Sequence, residues 1–388
     1  MNIPIAKTFL DENEENAVIE TIRSGWVMNG PRVQEFESAL GQYVGSKYAK
    51  ATNSGTTSLH LALIGCGIGS GDEVILPAFT CIASVNPIEY VGAKPVFVDI
   101  DLKTFSIDVS RIEEAITENT KAIMPIHLFG LCVDMTPILD LAQKYDLKII
   151  EDTALSLGAF YKGKHAGTFG DAGFLSFHPR KMITTGEGGM VITDDPEIDR
   201  QVGIMRNYGA EVATWQRHKK GFHALSEYNL LGYNYKLTDI QASMGIEQMK
   251  KIEFILDRRR QIAQKYDHEL ENIEHLILPH TSKDCVHAYQ SYVCLYAPDG
   301  DTRLSEPESG HQERNALMTR LEEKGIRTVQ GAQAVHTLGY YKKKYSLKER
   351  DFPNALIADR LSMALPIYPQ MKPAEQEYVV RNLQEGLS

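Results

Sequence analysis

The chain has 388 residues, of which 43% are hydrophobic and 24% are charged, values typical of a globular protein with a large core. Because domains average roughly 150 residues, this length predicts two or three folded units. The formal net charge of −10 argues against a nucleic-acid partner, which usually requires a basic face. It does not exclude a local cationic pocket for a phosphorylated small molecule.

The sequence carries no sign of export or membrane insertion. The first residues, MNIPIAKTFLDENEEN, are acidic and lack the continuous apolar run of a signal peptide. No segment approaches the ~18 apolar residues that span a membrane. The five cysteines form no CxxC pair, so neither a zinc site nor a disulfide framework is expected. We therefore expect a cytoplasmic protein without a metal site or a membrane partner.

Apolar runs and helical patterns alternate through the first half of the chain. Helices are predicted over residues 10–24, 33–44, 58–63, 81–90, 109–116 and 136–145, and strands over residues 73–76, 95–100, 122–129, 148–150, 172–177 and 190–193. This alternation predicts an α/β fold with a mainly parallel central sheet flanked by helices. Such sheets bind ligands beyond the carboxyl ends of their strands.

The pattern changes in the second half of the chain. One long helix is predicted over residues 239–270, where it connects a large cofactor-binding domain (1–250) to a smaller C-terminal α+β domain (251–388). Residues 1–25 are expected to pack on the small domain. The small domain is predicted to contain short strands within 289–295, helices over 315–324 and 373–383, and an exposed acidic loop over 299–310.

A carboxylate, a serine and a lysine share one glycine-rich stretch, residues 147–195. Lys181 can form a Schiff base if its surroundings lower its pKa. Asp152 ends a predicted strand and can pair with the protonated pyridine nitrogen of pyridoxal phosphate (PLP). The turn from Ser54 to Thr56 opens a helix whose free N–H groups can bind a phosphate, to which Ser176 can add a hydroxyl. Each residue alone is more often a strand-end cap, a surface lysine or a helix cap, but their joint order favours a PLP site.

The sequence also resembles the DegT/StrS family of PLP-dependent sugar aminotransferases, which have the aspartate-aminotransferase-like fold type I. The resemblance extends over nearly the whole chain, in motifs that include NSGTTSLHLAL, VILPAFTCIASVN, IEDTALSLGA and LGYNYKLTDIQASMG. The segment SFHPRKMITTGEGG is the most specific of them.

The resemblance implies a role for each matching residue. Lys181 would be the Schiff-base lysine and the proton-transfer base, and Asp152 the partner of the pyridinium nitrogen. Gly55, Thr56 and Ser176 would bind the phosphate of the cofactor.

Three further positions bear on how the cofactor is held. Asn234 resembles the residue that reaches the phosphate in the neighbouring subunit, which implies a homodimer with shared active sites. Leu155 replaces a Gln or His that often contacts the cofactor in the family. Cys81 replaces an aromatic residue that often stacks on the pyridine ring. We expect Cys81 and Leu155 to line the two faces of the ring.

The family also suggests the substrates. L-glutamate is the expected amino donor and a keto-sugar, nucleotide-linked, the expected acceptor, in amino-sugar or surface polysaccharide biosynthesis. Asn29, His178 and His336 are candidates for substrate contact, with a structural role as the alternative for each. Two other functions remain open: a PLP-dependent sugar dehydratase, and a non-catalytic regulatory protein of the same fold. The presence of Lys181 and Asp152 favours the aminotransferase.

Overall fold

The computed structural model describes residues 1–211, 227–297 and 307–387, and its largest element is a seven-stranded sheet. The described strands in chain order are β1 (Tyr48–Thr52), β2 (Glu73–Pro77), β3 (Phe79–Thr80), β4 (Lys94–Val98), β5 (Thr120–Ile123), β6 (Lys148–Asp152), β7 (Phe160–Tyr161), β8 (Lys164–His165), β9 (Ala172–Ser176), β10 (Gly189–Thr193), β11 (Leu276–Ile277), β12 (Cys285–Val286), β13 (Tyr292–Tyr296), β14 (Gln333–Ala334) and β15 (Ser362–Leu365). The order in the large sheet is β1-β10-β9-β6-β5-β2-β4. The strands from β9 to β4 are parallel, and β10 runs antiparallel to both of its neighbours. The predicted mainly parallel α/β sheet is confirmed.

Helices cover both faces of this sheet because its strands are apolar on both sides. The described helices are α1 (Glu12–Arg23), α2 (Pro31–Val44), α3 (Gly55–Gly65), α4 (Asn86–Tyr90), α5 (Met135–Tyr145), α6 (Pro196–Met205), α7 (Asp239–Lys250), α8 (Ile252–Leu270), α9 (Pro307–Glu323), α10 (Gly339–Lys344), α11 (Pro353–Leu361) and α12 (Pro373–Leu387). Along β2, Val74 and Leu76 belong to a buried apolar cluster on one face of the sheet, whereas Ile75 belongs to a second cluster on the opposite face. This alternation follows from the pleat of a strand, and burial of both faces is usual for parallel sheets.

Three predicted helices differ in the structure. Residues 239–270 form two helices, α7 and α8, which meet at Lys251 (φ −103°, ψ −2°). Residues 81–90 form a 3-10 turn (Ile82–Ser84) followed by α4, because the proline at position 87 is compatible only with the first turn of a helix. Residues 109–116 form two 3-10 turns, the first of which is capped by the side chain of Asp108.

The C-terminal part of the chain builds a second, antiparallel sheet in the order β11-β13-β15. Ile3 pairs with Ile326 and is fully buried in the apolar cluster around this sheet. The division of the chain near residue 250 stays a prediction. Of the predicted loop 299–310, residues 299–306 lie outside the described residues, and α9 already begins at Pro307. Within the described ranges, no helix combines the length and apolarity needed to cross a membrane.

Candidate active site

A cavity of about 620 Å³ lies at the carboxyl ends of the parallel strands β6 and β9. Its walls come from both halves of the chain. They include Ser54, Gly55, Thr56, Thr80, Cys81, Ser84, Asp152, Leu155, Ser176, His178, Arg180, Lys181 and Glu187, together with Gln290, Ser291 and residues 329–333. Strand β14 pairs with β3, and this pairing fixes the second half of the chain against the rim. The position agrees with the rule that open α/β sheets bind ligands beyond their carboxyl strand ends.

Asp152 is the last residue of β6, and its side chain is a buried carboxylate, only 3% exposed. The Oγ of Ser84 donates a hydrogen bond to Oδ2 at 2.6 Å, and the backbone N–H of Ala154 donates to Oδ1 at 3.0 Å. Burial raises the pKa of Asp152, and both hydrogen bonds and the positive charge of Lys181 oppose that rise. The structure therefore provides a fixed hydrogen-bond acceptor on the cavity wall.

Lys181 lies in the connection between β9 and β10. Within this connection, the Lys181 N–H donates to His178 O at 2.8 Å and the Thr185 N–H donates to Phe177 O at 3.1 Å. Burial lowers the pKa of Lys181, whereas the negative charge of Asp152 raises it. Among the described residues, Nζ forms no hydrogen bond and no ion pair. Lys181 is therefore an amine in the cavity with an increased neutral fraction.

The start of α3 forms a cradle for an anion. Ser54 caps the helix by accepting from the Thr57 N–H, and the first-turn N–H groups of Gly55 and Thr56 have no acceptor within the helix. A side chain at Gly55 would meet the Cβ of Ser176 at 2.8 Å, so only glycine permits this approach of helix and strand. Gly189 is similarly constrained, since an added Cβ would lie 2.5 Å from Ser54 O. Backbone donors at a helix N-terminus together with a hydroxyl suit a phosphate.

The other predicted site residues divide into two groups. Cys81, Leu155 and His178 line the cavity. Asn29, Asn234 and His336 do not. His336 is 0% exposed, packs its ring against Phe352 and lies 3.1 Å through Nε2 from Glu349 O, so its substrate contact stays a prediction without support from its position.

Asn29 and Asn234 each lie outside the cavity of their own chain. The Nδ2 of Asn29 donates to Leu237 O at 3.2 Å. Asn234 is exposed, and its Oδ1 accepts from Lys236 Nζ at 2.7 Å. A substrate role for Asn29 has no support from this position, whereas the exposed Asn234 is available to another subunit.

Comparison with known proteins identifies the family of the chain. The sequence model of the DegT/DnrJ/EryC1/StrS aminotransferase family matches residues 8–384. The chain belongs to this family. It is similar to an uncharacterized protein of Methanocaldococcus jannaschii, with 42% identity over 95% of this chain and 93% of the relative. It is also similar to the spore coat polysaccharide biosynthesis protein SpsC of Bacillus subtilis, with 36% identity over 99% of this chain and 96% of SpsC.

A solved structure gives the same result for the fold. Spr1654 of Streptococcus pneumoniae, described as a sugar aminotransferase and solved in its pyridoxamine phosphate form, superposes with a TM-score of 0.91 at 28% identity. The superposition covers 100% of this chain and 99% of that one. The protein is a PLP-dependent sugar aminotransferase with the type I fold.

The donor set of the aminotransferase fits PLP. The cofactor presents a pyridine nitrogen, an aldehyde and a phosphate. A buried carboxylate (Asp152), a weakly basic amine (Lys181) and the glycine-containing start of α3 lie around one cavity and match these three groups.

The sequence patterns did not identify several residues that line this site. Ser84 donates to Asp152 across 68 positions of sequence, and Gln290 donates through Nε2 to Arg180 O at 2.6 Å across 110 positions. Gln333 lines the rim from β14. Ser84 lies inside the motif VILPAFTCIASVN, which could have pointed to it. Gln290 and Gln333 belong to no local pattern that distinguishes them.

Proposed function

We propose that this aminotransferase moves the amino group of L-glutamate to a nucleotide-linked keto-sugar in the cytoplasm, in the biosynthesis of an amino sugar or a surface polysaccharide such as lipopolysaccharide. The observation that carries the proposal is the presence of Lys181 and Asp152 in one cavity beside a phosphate cradle. The similarity to SpsC over nearly the whole chain supports a polysaccharide pathway. A cavity of about 620 Å³ is within the range that small-molecule sites occupy.

Each residue has a defined task in this proposal. Lys181 would hold the cofactor through its Nζ, and as a free amine it would remove and return the proton at Cα of the donor. Asp152 holds a proton on the pyridine nitrogen, because a neighbouring carboxylate favours the protonated ring. The N–H groups of Gly55 and Thr56 and the hydroxyl of Ser176 bind the phosphate. When bound, PLP supplies the electron sink for the charge that develops at Cα.

We also propose a homodimer with shared active sites, in which Asn234 reaches the phosphate in the site of the partner. Asn234 is exposed and outside its own cavity, which supports a role in trans. Its backbone pairs with Asn207, and its side chain is fixed by Lys236.

The two alternative functions are less well supported. The family resemblance implies that some relatives become dehydratases when histidine replaces this lysine, and this chain retains Lys181. A regulatory protein without turnover has no need for an amine of lowered pKa facing a buried carboxylate.

The donor half-reaction tests the proposal directly. The PLP-loaded enzyme is mixed with L-glutamate, and we expect loss of the yellow absorbance with formation of one 2-oxoglutarate per cofactor. After borohydride reduction, peptide mass spectrometry should locate the cofactor on Lys181, and Lys181→Ala should give no reduced adduct. An unchanged spectrum with glutamate, or an adduct on a different lysine, would contradict the proposal.

A further inference from the structure

Two buried hydroxyls form a hydrogen-bonded chain that ends on Asp152. Thr80 is 0% exposed and Ser84 is 5% exposed. Thr80 Oγ1 lies 3.3 Å from Ser84 Oγ, and Ser84 Oγ lies 2.6 Å from Asp152 Oδ2. An ionised carboxylate can only accept, so the Ser84 hydroxyl must donate to it, and this leaves a lone pair of Ser84 to accept from Thr80. The direction of both hydrogen bonds is thereby fixed: Thr80 donates to Ser84, and Ser84 donates to Asp152.

The two hydroxyls belong to a segment whose backbone is held by contacts other than this hydrogen-bonded chain. Thr80 belongs to β3, which pairs with β14, and Ser84 ends the 3-10 turn that precedes α4. Ser84 also lines the cavity. The second oxygen of Asp152 accepts from Ala154 N–H, so each carboxylate oxygen has one fixed donor. The plane of the carboxylate is therefore set by Ser84 and Ala154 together.

We propose that Ser84 is a positioning residue for the reaction: with Thr80 behind it, its hydroxyl orients the Asp152 carboxylate and keeps it ionised. This inference rests on the proposed pairing of Asp152 with the pyridine nitrogen. A short hydrogen bond to a charged acceptor is roughly twice as strong as one between neutral groups, and a second hydroxyl behind it strengthens it further. Of the two donors to Asp152 found among the described residues, Ser84 is the one that donates through its side chain.

Few charged groups near Asp152 can help to keep its carboxylate ionised. Burial alone raises the pKa of Asp152, which favours the neutral form. Lys181 faces it from the connection after β9, and His127 approaches from the turn after β5. The Nδ1 of His127 accepts from the Val133 N–H at 3.1 Å, and its Nε2 is 2.9 Å from Glu151 Oε2. The Nε2–H of His127 is therefore directed at Glu151 and not at Asp152.

The test follows the protonation of the cofactor itself. Enzyme is loaded with PLP carrying ¹⁵N at the ring nitrogen, and the nitrogen shift is recorded by NMR against pH for the wild type, Ser84→Ala and Ser84→Thr. In Ser84→Ala, we expect the ring to lose its proton at a pH lower by about one unit or more. The maximal rate of the glutamate half-reaction should fall about 10- to 100-fold, as for loss of one hydrogen bond to a charged group. The glutamate concentration at half-maximal rate should change little, and Ser84→Thr should retain the wild-type titration.

A matched control exists four residues after Asp152. Ser156 is fully buried, and its Oγ has no hydrogen-bond partner among the described residues. Ser156→Ala removes the same atom from a buried site and should leave the ring titration unchanged. Thr80→Val keeps the side-chain shape, and it should shift the titration in the same direction as Ser84→Ala but by less. It serves as the test if Ser84→Ala does not fold.

The outcomes separate the two proposals. A wild-type ring that stays unprotonated, or no reaction with glutamate, would overturn the proposed function and this inference with it. A protonated, reactive wild type with an unchanged titration in Ser84→Ala, or in Thr80→Val where only that variant folds, would overturn the inference alone. An equal shift in Ser156→Ala would show a general packing effect and would also overturn it.

Discussion

Burial acts in opposite directions on the two central residues. It lowers the pKa of Lys181 and raises the pKa of Asp152, and in both cases the neutral form gains. Each group partly restores the charge of the other. The pKa of Lys181 is therefore lower than is usual for a lysine, which increases the share of unprotonated amine that a nucleophile and a base require.

This predicts a selective reactivity of Lys181 in the apoenzyme. The ordinary pKa of a lysine side chain is 10.5. Below this pH, an amine-reactive reagent in limiting amount should modify Lys181 faster than the exposure of its side chain alone predicts. Lys148 is a control, because its ion pair with Asp171 raises its pKa. Asp152→Asn should increase the labelling rate of Lys181 further, since it removes the negative charge that raises the pKa of the lysine. Peptide mass spectrometry after short labelling at several pH values measures this, and a slower rate in Asp152→Asn would contradict it.

The cradle at Gly55 predicts a defect in cofactor affinity. Gly55→Ala introduces a Cβ that would meet Ser176 at 2.8 Å, and overpacking of this kind costs about 1–3 kcal/mol. We expect the dissociation constant of PLP to rise about tenfold or more, measured by titration of the apoenzyme. Gly69→Ala is the control, because nothing lies within 4 Å of an added Cβ there. Equal dissociation constants of PLP for the two variants would show that Gly55 does not belong to the phosphate site.

At the scale of an element, β6 holds Asp152 in place through the residue before it. Glu151 is 0% exposed, and its carboxylate accepts four hydrogen bonds of 2.6–2.9 Å. The donors are His127 Nε2 and the backbone N–H groups of Gly167, Phe169 and Gly170. One buried carboxylate thus joins the end of β6 to two neighbouring turns.

Glu151→Ala should therefore destabilise the carboxyl end of β6 and the two turns joined to it. Removal of one side of a buried charged network leaves its donors without a partner and costs about 3–5 kcal/mol. Urea unfolding of the apoenzyme at neutral pH should show this loss in the free energy of unfolding. Glu118→Ala, at an exposed position, should change that free energy by less than about 0.5 kcal/mol. A similar small change in Glu151→Ala would mean that the turns are held by other contacts.

The elements that could be predicted from the sequence are those defined by local patterns. The strands β2, β6, β9 and β10 are short apolar runs, and α3 is announced by its Ser54 cap. The two 3-10 turns within residues 109–116 share the apolar spacing of a helix and differ only in backbone geometry, so spacing could not distinguish them. The hydrogen bond from Ser84 to Asp152 depends on how a 3-10 turn meets the end of a strand that is distant in sequence, which no local pattern records.

At the scale of the whole molecule, exposed apolar side chains lie near Asn234. Leu231 is 89% exposed and Tyr228 is 58% exposed, and Tyr208 nearby is 49% exposed. An isolated exposed apolar residue is ordinary, but a group of them commonly marks a surface that another chain covers. The positions next to the proposed trans residue favour a second copy of this chain.

Shared sites predict complementation between two inactive variants. Lys181→Ala should remove the reactive amine, and Asn234→Asp should place a carboxylate against the phosphate in the partner's site. Within a heterodimer of the two, both defects fall in one site, whereas the other site receives Lys181 and Asn234 intact. After subunit exchange of an equal mixture, about a quarter of all sites should be wild type, because half of the C2 dimers are mixed.

The measurement is the glutamate half-reaction, recorded before and after exchange. Before exchange, the activity should equal the sum of the two separate variants. A rise after exchange towards a quarter of the wild-type activity would establish that Asn234 acts in the site of the partner. Lys181→Ala mixed with Asp152→Asn is the control, because both residues line the same cavity in one chain, and neither site of that heterodimer is free of defects when Asp152 and Lys181 act in cis. If the two mixtures behave alike, Asn234 does not complete the partner's site, and its exposed amide has another purpose.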